Sequence, residues 1–126
     1  MSLKVVSTNK APQAIGPYSQ AIIANGMVFT SGQIALSPEG EIVCSDVAGQ
    51  TEQVLKNLTE VLAEAGSSLD KVIKTTIFLD SMDDFATVNE VYGKYFSSHK
   101  PARSTVAVKT LPLNVKVEID CIALID

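Results

Sequence analysis

The stretch VKVEIDCIAL, residues 115–124, decides the fold. Its alternation is that of a β-strand, whose successive side chains point to opposite faces. Val115, Val117, Ile119 and Cys121 point one way; Lys116, Glu118, Asp120, Ile122 and Leu124 point the other. The first set suits a core. The second is partly charged and partly apolar. A sheet face carrying Ile122 and Leu124 with nothing over it would be an exposed patch on a monomer. Burial against further copies of the chain is the simplest remedy, so the strand predicts a closed cyclic oligomer.

Working outward, the strand at about Val115–Ile125 is preceded by another at about Ser104–Lys109. Upstream, AIIANGMVFTSGQI (21–34) places Asn25-Gly26 between two apolar runs. Asn-Gly is the strongest short hairpin signal, because both residues tolerate positive φ. SPEGE (37–41) reads as a further turn. A helix is predicted from about Asp46 to Ala65, with Val47, Val54, Leu55, Leu58, Val61 and Leu62 on one face. Ser45 or Asp46 can cap its start and Gly66 its end. KVIKTTIFL (71–79) is rich in β-branched residues and reads as a strand. In SMDDFATVNEVYGKYF (81–96), Ser81 and Asp84 have capping-box spacing ahead of an apolar stripe of Phe85, Val88, Tyr92 and Phe96. The order is hairpin, helix, strand, helix, strand, strand. It predicts a single α+β domain, a mixed β-sheet with both helices packed on one face.

The 126 residues fit one domain, and at 46% hydrophobic they can build a core without disulfides or metals. Net charge is −4 with signs interspersed, which argues against nucleic acid as an electrostatically driven partner. Cys44 and Cys121 show no metal-ligand spacing and suit a reducing cytoplasm as free thiols. No apolar run approaches the roughly 20 residues of a membrane span, and MSLKVVSTNKAP (1–12) lacks the apolar core of a signal peptide.

Few residues offer chemistry. His99, the sole histidine, has no GxSxG turn to serve and reads as a solvated loop residue. Arg103, in KPARSTVAV (100–108), follows a stiffening proline and has no acidic neighbour two residues away. Its planar fork matches a carboxylate, so it is either an anion anchor or half of a structural ion pair. Glu118 becomes a candidate general base if its face is desolvated in an interface, and is otherwise an exposed glutamate. Asn89 breaks the second helix's apolar stripe, and a buried amide there must be hydrogen-bonded. Tyr18 follows a Gly-Pro turn and either reaches outward or packs over the core.

Together, AIGPYSQA (14–21), FTSGQI (29–34), DDFATVNEVY (83–92), PARSTVAV (101–108) and LPLNVKVEIDCIA (111–123) resemble the RidA, or YjgF, family of reactive-intermediate deaminases, across nearly the whole chain. The resemblance implies a chorismate-mutase-like fold over residues 1–126 and a homotrimer with sites in the clefts between subunits. It implies hydrolysis of 2-iminopropanoate and 2-iminobutanoate to 2-keto acids and ammonia, a reaction that protects PLP enzymes. No metal or organic cofactor is implied. Arg103 would bind the substrate carboxylate and Glu118 would serve the hydrolytic water. Tyr18, Ser31, Gly32, Asn89 and Thr105 would line the cleft, Thr105 standing where many relatives carry cysteine. Small carboxylate sensing, and the RNA cleavage or translation inhibition attached to some relatives, are the alternatives. The acidic charge balance weighs against RNA.

Overall fold

The computed structural model of the chain describes residues 2–125; Met1 and Asp126 of the expected domain lie outside them. Strands β1 (Lys4–Val6), β2 (Ala21–Ala24) and β3 (Met27–Thr30) lead into helix α1 (Val47–Ala65). Then come β4 (Val72–Leu79), α2 (Phe85–Tyr95), β5 (Ala102–Ala107) and β6 (Val117–Leu124). The strands form one sheet in the order β1-β2-β3-β6-β4-β5. β6 is antiparallel to both β3 and β4, whereas β4 and β5 run parallel.

This order explains why both helices share a face. α1 carries the chain from β3 past β6 to β4, and α2 carries it one further step in the same direction, from β4 to β5. Right-handed crossovers that step the same way across a sheet deposit their helices on the same side.

Local signals account for most boundaries. Ala24 pairs with Met27 across a two-residue loop in which Asn25 and Gly26 have φ of 52° and 74°, the primed turn that matches strand twist. The α1 cap is Asp46 rather than Ser45: its Oδ2 accepts the Gly49 N–H at 3.1 Å. Gly66, at φ 85°, closes the helix in the left-handed conformation. Ser81 caps something shorter than the sequence suggests. Its Oγ accepts the Asp83 N–H at 3.1 Å and starts a 3₁₀ turn at Met82–Asp84; α2 begins only at Phe85, and Asp84 makes no side-chain cap bond.

The core fills the space between helices and sheet. Val54, Leu55, Leu58, Val61 and Leu62 of α1 pack with Val88 and Tyr92 of α2 against Val117, Ile119, Cys121 and Ala123 of β6. Each fully buried leucine or valine contributes about 1.5–3 kcal/mol relative to exposure. The opposite face of the sheet carries no helix. There Phe29 pairs beside Ile122 and Met27 beside Leu124, with Phe29 and Leu124 40% and 44% exposed. An apolar surface of this kind is what the alternation in β6 required. Among the described residues no helix is long and apolar enough to cross a membrane.

Candidate functional site

Glu118 projects from the helix-free face of β6, beside Asp120 on the same face. It is half-buried, and its pKa lies above the ordinary 4.5, first because of desolvation and then because of the Asp120 charge. Asp120 is also raised, by burial, against the opposing pulls of a Thr76 hydrogen bond and the Lys74 charge. A glycine makes room for the Glu118 side chain. A Cβ built on Gly32 would lie 2.7 Å from the Glu118 carboxyl carbon and closer still to Oε2. Gly32 is therefore needed for close approach, not for an unusual φ.

Glu118 and Gly32 open into a cavity of ≈ 460 Å³ whose wall also includes Tyr18 and Ser31. Tyr18 rides on the 8–20 segment, which is tied down at both ends. The buried Gln20 amide accepts the Thr8 N–H at 2.7 Å and donates to the Thr8 and Pro12 carbonyls at 3.1 and 2.7 Å. Ser31 Oγ donates to the Ser19 carbonyl at 2.5 Å, and the Ser31 N–H bonds the Gln20 carbonyl at 2.9 Å. The Ser31 hydroxyl is thus spent on holding the loop. The Gly32 N–H, facing the cavity beside Glu118, has no hydrogen-bond partner among the described residues.

Arg103 lies elsewhere. It pairs with Thr75 across the β4–β5 ladder and projects over α2, on the helix side of the sheet. Its Nη1 donates to Asn89 Oδ1 at 2.6 Å. The guanidinium sits 5.0 Å from the Tyr92 ring centre and 5.5 Å from that of Phe85. Tyr92 is anchored in turn by its hydroxyl, 2.7 Å from Thr75 Oγ1. Phe85, Asn89 and Tyr92 follow the i, i+4, i+7 spacing of one helix face, so α2 presents a ready platform for a planar cation. Among the described residues no carboxylate pairs with Arg103. A neutral acceptor aims the fork and leaves its charge uncompensated in an open hollow shared with Lys100 and Pro101.

The seven candidate residues therefore fall into two groups within one chain. Tyr18, Ser31, Gly32 and Glu118 gather on the open face; Asn89 and Arg103 gather at the β5 edge on the other side. Thr105 lies two residues beyond Arg103, and its hydroxyl is buried with no partner among the described residues. His99 is not a solvated loop residue: its Nε2 lies 2.6 Å from the Val72 carbonyl and fastens the approach to β5. Among the described residues no three His, Cys, Asp or Glu side chains converge as metal ligands.

The Phe85 and Tyr92 platform escaped sequence reading, although its helical spacing was visible. Gln20 and Leu113 escaped it as well. Leu113 has φ 56°, a conformation that leucine rarely adopts, and nothing in its identity announces it.

Comparison with known proteins adds the following. The family described as Endoribonuclease L-PSP matches residues 8–125. The chain is 58% identical over 121 residues to Reactive Intermediate Deaminase A, chloroplastic, of Arabidopsis thaliana, covering 95% of this chain and 65% of that protein. Among solved structures it is similar to yeast Mmf1, with TM-score 0.97 and 46% identity over 99% of this chain and 100% of the other. It is also similar to E. coli TdcF with bound serine, with TM-score 0.92 and 45% identity over 98% and 99%.

Proposed function

The chain belongs to the Endoribonuclease L-PSP family, the YjgF/RidA family, and from that premise we propose that it is a hydrolytic deaminase of reactive 2-imino and enamino acids. The substrates would be 2-iminopropanoate and 2-iminobutanoate, and the products 2-keto acids and ammonia. The observation that carries this reading is the pairing of a charge-uncompensated guanidinium with a desolvated carboxylate set against a glycine.

Each group has a task. The Arg103 fork takes the substrate carboxylate through charge-assisted hydrogen bonds, and Asn89 and the two rings keep it aimed. Glu118 takes a proton from water, which adds to the C=N carbon while the imine nitrogen gains a proton. Collapse of the resulting carbinolamine breaks the C–N bond, releases ammonia and leaves the keto acid. The raised pKa of Glu118 brings its basicity nearer to working pH, where general-base catalysis is most efficient. The Gly32 N–H is a free donor for a polar atom of the substrate. For so reactive an electrophile, positioning and one base are sufficient, and no cofactor is required.

The sheet separates Arg103 from Glu118 within one chain, so a complete site takes Arg103 from one copy and Glu118 from the next. Docking the β5 edge of one chain over the open face of its neighbour also covers Phe29, Ile122 and Leu124. Repeated head to tail, that contact closes as a ring, and the family resemblance makes it a homotrimer.

A second reading, a small-carboxylate sensor, draws support from the TdcF relative with bound serine. It gives Glu118 no task as a base, which separates the two. The deciding experiment couples the purified protein to a PLP-dependent threonine dehydratase and follows 2-keto acid formation. The deaminase reading expects faster keto acid release than spontaneous hydrolysis gives. An unchanged rate, with keto acid still bound, would establish the sensor.

A further inference from the structure

The cavity over Glu118 is far larger than the smallest imino acids need. Its ≈ 460 Å³ compares with the roughly 10–15 Å³ that one water requires. Its wall is also one-sided in chemistry. Ile15, Ile34, Leu36, Pro112 and Leu113 line it, and no lysine, arginine or histidine does. With Glu118 as its charged group, the cavity repels a carboxylate, so the substrate's anionic end cannot lie there. What lies there must be neutral.

Two of the wall residues stand where an apolar side chain has no folding role. Ile15 is 82% exposed and Leu113 59% exposed. Neither belongs to the core, and Leu113 is held at φ 56° and Asn114 at φ 57°, so two consecutive left-handed residues turn the 112–114 segment over the cavity. Non-glycine residues in that region are strained and concentrate at functional sites.

Resting on the deaminase reading, the geometry points to Ile15 and Leu113 as specificity-determining residues that receive the side chain of the imino acid and favour long aliphatic chains over a methyl group. The substrate is then held at two ends: its carboxylate by Arg103 and its hydrocarbon tail between Ile15 and Leu113, with the C=N carbon brought to Glu118. Each methylene group that leaves water is worth about a fourfold gain in affinity. An isobutyl chain in an open-sided cavity should gain about tenfold over a methyl group.

Calorimetry with two stable 2-keto acids, pyruvate and 4-methyl-2-oxopentanoate, tests this on the full-length protein. The branched acid should bind about tenfold more tightly. Leu113→Asn keeps a residue tolerant of positive φ while replacing hydrocarbon by amide, and Ile15→Ser changes a residue outside the core. Each should pull the affinity ratio toward one, and the double variant should abolish it. Melting curves establish that both variants fold; should one not fold, the other gives the answer. Equal binding of the two acids, or a ratio untouched in the folded variants, overturns this inference and leaves the deaminase reading standing. Failure of both acids to bind the wild type overturns the carboxylate reading and this inference with it.

Discussion

Replacing Gly32 by alanine probes the base without touching it. The new Cβ would stand 2.7 Å from the Glu118 carboxyl carbon, against ordinary carbon contacts of about 3.5–4.0 Å. The carboxylate must therefore retreat by about 1 Å, because β3 and β6 are fixed by their ladder. A misplacement of about 1 Å can cost on the order of 10²-fold in rate, and loss of a general base about 10²–10⁴-fold. Gly32→Ala should fall near the lower end, about 10–100-fold, because the carboxylate is moved and not removed. Stability should change little: Gly32 has no positive φ, and the displaced group is the end of a flexible side chain. The assay is keto acid formation from enzymatically generated imine, beside a thermal melt. In a Glu118→Gln background the same substitution should add almost nothing, since both changes act on one group. A Gly32→Ala protein with wild-type turnover would refute the placement of Glu118 at the reacting water.

Glu118→Gln itself should lower turnover by about 10²–10⁴-fold while keto acid binding survives; a fully active variant would mean that water is activated elsewhere. The same change carries a pH signature. Burial raises Glu118 and Asp120 above 4.5 and 3.8, so the folded chain holds more protons than the unfolded one; stability is full in acid and is lost as pH rises through the raised values. Glu118→Gln should therefore raise the melting temperature near pH 7 and hardly alter it near pH 3, and the reverse pattern would contradict the desolvation argument. Asn89→Asp would place a carboxylate against Arg103 and should weaken keto acid binding about tenfold by calorimetry, with the fold retained; unchanged affinity would show that Arg103 does not hold the anion. Light scattering of the wild type should report a trimer at micromolar concentration, and a stable monomer would remove the composite site.

Much of the fold was legible because its signals are local. Asn25-Gly26 demanded positive φ, Gly66 a left-handed cap, and the alternation in β6 one buried and one open face. What was missed depends on tertiary pairing. β5 begins at Ala102 rather than Ser104 because its ladder with β4 starts at Lys74, which no local propensity reveals. The first strand, Lys4–Val6, is three residues that only β2 makes into a strand. At the site, residue types singled out Arg103 and Glu118, but their division between two faces could emerge only from the register. The role of Gly32 is likewise invisible in sequence, because it lies in the space beside a residue 86 positions away.

The central claim is that one site joins Arg103 of one copy to Glu118 of another, and mixing tests it most directly. Arg103→Ala and Glu118→Gln chains, each inactive alone, are unfolded together and refolded at equal amounts. In randomly mixed rings, about a quarter of the interfaces combine an intact Arg103 with an intact Glu118, so about a quarter of wild-type activity should return. Mixed rings that form and stay inactive would place both residues in a single chain's site and contradict the account.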